Sequence, residues 1–220
     1  IAAALTACCL ATVTDCPAAE QTAAPSVRYL PLDAPSGMSQ AVVVQGLPLV
    51  YTRQILPLDR DGKLVGEGSV DQQIEQVLDN LDAVLKAAGS GLDRLVRLNV
   101  YALSHPTAGR IRELLSKRLD PAVRPAITVV LTPLAHRNAL VAVDAVAAAG
   151  DAGAAAREND QPVALKRLEA VAGDKDCADA AVMPPGGVAY LSGQPEKGGL
   201  AVSAVTKSLS TLLKTLEQLK

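Results

Sequence analysis

Few residues of this chain belong to the types that bind metals or act as nucleophiles. His105 and His136 lie far apart, and neither has a second ligand at the spacing that metal sites use. Three of the four cysteines fall within residues 1–20, and only Cys177 lies further along. A single cysteine cannot build a disulfide framework, and no CxxC spacing indicates a zinc site. We therefore expect neither a metal nor another cofactor, and no chemical role for Cys177.

The charge balance argues against nucleic acid and anionic membranes as partners. Lys and Arg number 21 against 23 Asp and Glu, so the formal net charge is -2. A chain with this balance has no positive field that would gather polyanions. Aromatic residues make up 2% of the chain, with neither Phe nor Trp, so platforms for stacking bases are also missing. The core must consist of aliphatic side chains, in one large or two small domains.

The clearest structural pattern covers residues 49–103. Two apolar runs flank Asp61-Gly62, a dipeptide typical of tight hairpins. Ser69 and Gln72 then have the spacing of a capping box, which predicts the start of a helix. The apolar residues that follow recur with helical periodicity, at Ile74, Val77, Leu78, Leu81, Val84 and Leu85. Gly89 is suited to the end of this helix.

A strand follows the helix, since apolar and polar residues alternate over residues 96–102. Val96, Leu98, Val100 and Ala102 share one face of that strand, and Arg97, Asn99 and Tyr101 share the other. Further strands are predicted at 39–44, from Leu49 to the hairpin, at 126–131 and at 139–147, and a second helix from His105-Pro106 to Asp120-Pro121. The predicted order is ββ-α-β-α-ββ, an α/β (α+β) fold with one mixed sheet and both helices on one face.

The first twenty residues differ from the rest, because they are small, apolar and uncharged until Asp15. They are too short to span a bilayer and are typical of the end of a secretory signal peptide. The run from Leu5 to Cys8 resembles a bacterial lipobox, which would make Cys8 a lipidated residue; the alternative is an ordinary signal peptide cut before Gln21. Either way we expect export to the periplasm, the cell surface or the medium.

Residues 148–160 are small and polar without apolar periodicity, which predicts a linker. Beyond it the earlier pattern returns: residues 185–194 match residues 45–54, with Gly186 over Gly46 and Gln194 over Gln54. Leucines near the end repeat the spacing of the first long helix. We therefore predict a partial second copy at 161–220 and expect the sequence to be truncated at both ends.

Several motifs in residues 28–147 resemble, in their order and spacing, the RidA/YjgF family, also called L-PSP. They are Ser39-Gln40-Ala41, Gln54-Ile55 followed by Pro57-Leu58-Asp59, Asp79-Asn80-Leu81, Ala87-Ala88-Gly89 and Asp144-Ala145-Val146-Ala147. In the predicted second copy, Ser192, Gly193 and Gln194 resemble the family's usual Ser-Gly-Gln and would belong to that copy's cleft. The resemblance implies a chorismate-mutase-like fold that assembles as a trimer, with ligand clefts between neighbouring subunits.

In active members of the family, an arginine binds the substrate carboxylate, a task for which a planar guanidinium is suited. A glutamate positions the water that hydrolyses enamines or imines to 2-keto acids and ammonia. Alignment on the last strand places that arginine at Ile127 and that glutamate at Ala142. The family's helix asparagine falls on Arg110 and its first-cleft glycine on Arg53. The groups that active members need are therefore replaced in this copy.

Four residues leave alternatives open. With a three-residue insertion in loop 132–138, Arg124 would take the arginine position; otherwise it is a solvated turn residue. Arg53 could supply the carboxylate-binding charge or face water at a strand edge. Thr52 would place a hydroxyl at the cleft wall, and Asp144 could pair with a cleft arginine or only cap the sheet edge.

Three functions follow from the resemblance. The first is a catalytically degenerate module that binds a small carboxylate-bearing metabolite or serves assembly, as a homotrimer or a pseudo-hexamer. The second is an enamine/imine deaminase, a hydrolase that uses Arg124 or Arg53. The third is ribonuclease activity, which the net charge of -2 and the scarcity of aromatic residues disfavour.

Overall fold

The computed structural model describes residues 24–31, 38–150, 163–173, 176–185 and 201–217. The chain forms two compact units, residues 1–185 and residues 186–220. The first unit contains β1 (Ser26–Pro31), β2 (Ser39–Gln45), β3 (Leu49–Thr52), α1 (Val70–Ala87), a short 3-10 helix (Leu92–Arg94), β4 (Leu95–Ala102), α2 (His105–Arg118), β5 (Ala126–Leu131), β6 (Val141–Ala148), β7 (Ala164–Lys166) and β8 (Ala180–Met183). The described part of the second unit contains α3 (Val202–Glu217).

Six strands form one mixed sheet in the order β5-β4-β6-β3-β8-β7. β4 and β5 run parallel, as two strands joined by a crossover helix must, whereas the other neighbours are antiparallel. Helices α1 and α2 pack against each other and share one apolar core with the same face of the sheet. This architecture confirms the predicted α+β class with two helices on one face.

The prediction of a single sheet was wrong for the described residues, because β1 and β2 pair with each other in a separate two-stranded sheet. The predicted order also lacked β1. Its apolar residues Val27 and Tyr29 form too short an alternation to stand out, and the pairing of β1 shifts register before Pro31, which has no backbone N–H to donate. The Tyr29 hydroxyl donates to the carbonyl of Leu95 at 2.8 Å, a contact between distant residues.

Helix α1 begins and ends where the sequence predicts. The Ser69 side chain accepts a hydrogen bond from the amide of Gln72, and Gly89 follows the helix with φ of +75°, a value that favours glycine. All six predicted apolar residues are fully buried. Just before them, Gln73 is also fully buried, and it donates to the carbonyls of Gly66 and Asn138 and accepts from the amide of Leu140. This side chain therefore joins α1 to the loop that precedes it and to the loop between β5 and β6.

Helix α2 begins at the predicted residue, capped by the side chain of Ser104, but it ends at Arg118, before the predicted Asp120-Pro121. Its buried side chains include Ile111 and Leu115. Most charged side chains of α2 are exposed, yet they also bind α1, since Arg118 donates to Glu75 at 2.9 Å.

The predicted linker at 148–160 does not begin at residue 148, because the first three of its residues are folded. Ala148 is the last residue of β6, and the amides of Ala149 and Gly150 donate to Pro48 and Gly89, so residues 148–150 belong to the folded unit. Residues 151–162 and 186–200 lie outside the described residues, and with them most of the match between residues 185–194 and 45–54. The second copy therefore stays a prediction. The β7–β8 hairpin itself pairs with β3.

Candidate functional site on the open face of the sheet

The sheet face opposite the helices, called the open face below, carries a row of polar side chains. In β4, Leu98 and Val100 are fully buried on the helix side, so the alternate residues Arg97, Asn99 and Tyr101 project to the open face. Residues directly opposite each other across strands share a face, and Asn99 lies opposite Asp144 of β6. The register thus brings a carboxylate to the centre of the row.

Two neutral donors hold the Asp144 carboxylate. Asn99 Nδ2 donates to Oδ1 at 2.8 Å, and the Tyr101 hydroxyl donates to Oδ2 at 2.6 Å. Arg97 Nε in turn donates to Asn99 Oδ1 at 3.2 Å, so the guanidinium is joined to the carboxylate through the amide. These four residues form a connected network in which each side chain restrains the next. We call this set the Asp144 cluster.

The Asp144 cluster keeps Tyr101 neutral. The hydrogen bond to Asp144 raises the pKa of the Tyr101 hydroxyl to about 12, with burial and the nearby negative charge acting in the same direction. A phenol with this pKa is not a general base near neutral pH. Its chemical role in the cluster is to donate a hydrogen bond and to orient the carboxylate.

We expect Asp144→Asn to lower the pKa of Tyr101 from about 12 towards its ordinary value near 10. The direction of this pKa shift also predicts how the stability of the folded state depends on pH. Because folding raises this pKa, the stabilisation is fully present below about pH 10 and is lost as the pH rises to about 12. Ultraviolet titration of the phenolate measures the shift, and Tyr101→Phe identifies which transition belongs to Tyr101. An unchanged titration in Asp144→Asn would contradict the assigned cause.

Thr52 and Arg53 lie where β3 leaves the sheet. Tyr51 pairs with Val146 and Ile55 bridges to Val143, so three residues of the β3 segment oppose two of β6, a local bulge. The Thr52 hydroxyl accepts a hydrogen bond of 2.9 Å from the amide of Ala145. The hydroxyl therefore provides a hydrogen-bond acceptor for a backbone amide at the bulge.

Arg53 does not face water at a strand edge, which was one of its two predicted environments. Its side chain is 22% exposed, so it does not extend into water, and its Nε donates to Asp179 Oδ1 at 2.7 Å. Nη1 donates to the carbonyl of Gln54 at 2.8 Å, and Nη2 donates to the carbonyl of Ala172. Asp179 was not predicted, because it lies 126 residues further along the chain and no local pattern joins the two.

The other two candidate arginines, Arg110 and Arg124, do not belong to the Asp144 cluster. Arg110 is on α2 and forms a two-fold ion pair with Asp71 at 2.7 Å, which raises the pKa of the guanidinium and lowers that of the carboxyl. It also binds Glu113 at 2.6 Å. Arg124 is exposed, and its Nε donates to the carbonyl of Pro121 at 3.3 Å within its own turn. The predicted alternative of a solvated turn residue describes Arg124.

Ile127 and Ala142 lie on opposite faces of the sheet. Ile127 is opposite Leu98 and packs against the core on the helix side, whereas Ala142 is opposite Tyr101 and faces the open side. Two groups at these positions therefore cannot meet within one sheet. Ser192, Gly193 and Gln194 lie outside the described residues.

The structure therefore brings Asp144 together with three residues that the sequence did not single out as a site. Arg97, Asn99 and Tyr101 were visible only as the polar half of an alternating strand. Their periodicity indicates a shared face, but the carboxylate partner comes from the register of β6 on β4.

The described residues contain neither a cluster of metal-binding side chains nor a helix that could span a membrane. No three His, Cys, Asp or Glu side chains in the described ranges could hold a metal ion together. Of the helices described, none is long and apolar enough to cross a membrane. Cys177 is exposed and is not in a disulfide.

The first unit has a mixed sheet with two helices on one face and polar side chains on the other. This architecture places the protein in the α+β class. The family model described as Endoribonuclease L-PSP matches residues 31–149, a little over half of the chain. The chain belongs to this family, which is the RidA/YjgF family.

Relatives of known sequence and structure are each similar to about half of the chain. A RutC family protein of Synechocystis is 32% identical over 116 residues, which make up 52% of this chain and 88% of the relative. The RutC family protein UK114 of Drosophila melanogaster is 32% identical over 114 residues, 51% of this chain and 79% of the relative. The crystal structure of the Rid-family protein YyfB from Yersinia pestis has a TM-score of 0.47 and 28% identity, covering 56% of this chain and 98% of that one.

Proposed function

We propose that the RidA-like unit of this chain is a ligand-binding or assembly module without enamine/imine deaminase activity. The observation that carries the proposal is that Ile127 and Ala142 stand where the resemblance places the carboxylate-binding arginine and the water-positioning glutamate. Neither an aliphatic side chain nor a methyl group can donate to a carboxylate or accept a proton from water.

The arginines that could substitute are held elsewhere. Arg53 has a carboxylate and two carbonyls as partners, and Arg110 has two carboxylates. Arg124 is bound within its own turn on the exposed surface. Moving Arg53 into a cleft would leave Asp179, which is 3% exposed, as a buried charge without its partner, and that is strongly unfavourable.

A small carboxylate is the ligand class that we propose for the open face, with Arg97 as its binding group. Arg97 is exposed, and among the described residues only its Nε has a partner, Asn99 Oδ1. The two terminal nitrogens are therefore available for a two-point contact with a carboxylate. The Asp144 carboxylate nearby would disfavour ligands with further negative charge on that side and favour those with a hydroxyl or amine.

The absence of deaminase activity is tested by generating an enamine in the assay mixture. An amino-acid dehydratase generates the 2-aminoacrylate-type substrate, and release of 2-keto acid is followed with and without the purified full-length protein. We expect the same rate as in buffer. A rate above buffer that survives purification would overturn the assignment, and its loss in Arg124→Met or Arg53→Met would favour the deaminase alternative.

Binding is tested separately with 2-oxobutanoate as the probe, followed by nuclear magnetic resonance or calorimetry. We expect Arg97→Met to weaken binding at least tenfold, which corresponds to about 1.4 kcal/mol. Arg124→Met is the matched control, because it removes an exposed guanidinium from another surface and should leave the affinity unchanged. Equal losses in the two variants would mean that the probe responds to net charge alone.

Two further proposals come from the sequence. We propose that the protein is exported, because residues 1–20 are typical of a signal peptide, and that it assembles as a homotrimer or pseudo-hexamer as the family resemblance implies. Cell fractionation and light scattering of the purified protein would test them. The name of the family model does not extend the proposal to ribonuclease activity, given the net charge of -2.

A further inference from the structure

β3 has a partner on each side, and one of them comes from far along the chain. β6 pairs with one edge of β3, and β8 pairs with the other at four successive positions, from Leu49 opposite Met183 to Thr52 opposite Ala180. Without β8, β3 would be the outermost strand, with unpaired N–H and C=O groups along that edge. The β7–β8 hairpin thus covers an edge that another chain could otherwise extend.

The hairpin depends on this contact for its own stability. β7 has three residues and β8 has four, and two strands of this length are not stable alone in water. Val182 is 4% exposed and lies opposite Val50, which is fully buried, and Ala180 is 2% exposed. Detachment would expose these side chains. The hairpin is therefore stabilised by pairing with the edge of a β3 strand, and the same pairing satisfies the backbone groups along that edge.

Side chains make the contact specific. Asp179 binds Arg53 through one carboxylate oxygen and accepts from the amide of Leu168 at 2.7 Å through the other. Gly173 lies against this pair, and a Cβ at that position would come within 2.8 Å of Arg53 Nη2 and 3.0 Å of Asp179 Oδ1. None of these contacts depends on which chain supplies the hairpin, so the same hairpin of a second copy would make all of them.

The tether between β6 and β7 is longer than its task requires. Three strand spacings separate β6 from β7 in the sheet, a distance of about 14 Å. Ala149 and Gly150 are bonded to Pro48 and Gly89, so residues 151–163 form the free connection, and a fully extended chain of that length reaches about 45 Å. The tether permits docking on the same chain and equally permits the hairpin to reach the β3 edge of a neighbour.

We propose that the outer edge of β3 is a strand-addition surface for the β7–β8 hairpin of a second copy of this chain, so that two copies exchange hairpins. In dilute solution the tether keeps the chain's own hairpin at a high effective concentration, and it occupies the edge. Exchange increases with protein concentration and becomes obligatory when the tether cannot span the sheet. The surface recognises an antiparallel apolar strand that begins with an aspartate.

Deleting residues 151–162 tests this proposal. Ala149 and Gly150 remain bonded to Pro48 and Gly89, so only Val163 is left between Gly150 and β7, a reach of about 7 Å. The hairpin cannot return to its own β3, and we expect exchange between chains. Replacing the same twelve residues by a Gly-Ser segment of equal length is the matched control, which should behave like the parent chain.

Exchange is detected by disulfide trapping. One population carries Thr52→Cys and a second carries Ala180→Cys, both with the four native cysteines replaced by serine. These positions are opposite each other, so a disulfide between the two populations forms only when a hairpin docks on another chain. We expect nearly complete cross-linking in the deletion variant, and a fraction that rises with concentration in the full-length chain.

Absence of the mixed disulfide in the folded deletion variant would overturn the proposal. If that variant does not fold, the full-length populations decide the question: they are mixed at the highest soluble concentration, warmed to allow exchange, cooled and then oxidised. Cross-linking no greater than in a mixture of two Thr52→Cys preparations would also overturn it.

Discussion

Asp179→Ala is expected to release the β7–β8 hairpin from β3 and to destabilise its docking by about 3–5 kcal/mol, the usual cost of removing one member of a buried ion pair. Asp179 is 3% exposed and Arg53 is 22% exposed, so water does little to replace the lost partner. The substitution also removes the acceptor for the Leu168 amide. Two contacts next to the start of β8, with Arg53 and with Leu168, are therefore lost together.

Hydrogen exchange is the appropriate measurement, because the effect is local. The Arg53 amide donates to the Asp179 carbonyl at 3.0 Å, and it should lose protection in the variant. Amides in α1 should keep their protection, since the helix packs mainly on β6 and α2. Unchanged exchange at Arg53 would show that the strand pairing alone holds the hairpin.

Two controls separate the ion pair from general charge effects. Asp61→Ala removes an exposed carboxylate whose partner Arg60 lies 3.7 Å away, and it should change stability by less than about 1 kcal/mol. The double variant Arg53→Met with Asp179→Leu removes both charges, so it should recover much of the loss. A double variant as unstable as the sum of Arg53→Met alone and Asp179→Leu alone would mean that the two residues act independently.

Leu78→Ala is expected to lower the free energy of unfolding of the RidA-like unit by about 2–5 kcal/mol. Leu78 is fully buried on the face of α1 that packs against the sheet, within the continuous apolar core. The core contains no Phe or Trp that could move into the space. The neighbouring aliphatic side chains replace the lost contacts only in part, so a cavity remains.

Denaturant unfolding followed by circular dichroism would measure this loss. Leu165→Ala is the matched control, because the same atoms are removed from a side chain that is 69% exposed, and the expected change is below about 0.5 kcal/mol. A loss below about 1 kcal/mol for Leu78→Ala would contradict the packing described, since it would require the core to close around the missing atoms.

Much of the fold could be predicted because the signals lie within a few residues of each other. Ser69 caps α1 through the amide three residues later, and Gly89 adopts a positive φ just past its end. The apolar period of α1 and the alternation of β4 predicted which side chains are buried. Such signals depend on local geometry, which neighbouring residues determine by themselves.

The sequence also indicated the family, through motifs whose order and spacing can be compared directly. The match to residues 31–149 confirms that resemblance. It also located Ile127 and Ala142 at positions where active members carry charge, which is the basis of the proposed binding role. No three-dimensional information was needed for that comparison, since it depends only on residue identity and position.

The environment of individual side chains was decided by contacts between distant segments. Arg53 is followed by no acidic neighbour that would predict its partner, and Asp179 reaches it only because β8 pairs with β3. Asp144 meets Asn99 and Tyr101 because β6 and β4 adopt one register, and a shift of one residue would send them to opposite faces. Register and strand order depend on the packing of the whole sheet, so local patterns in the chain do not contain them.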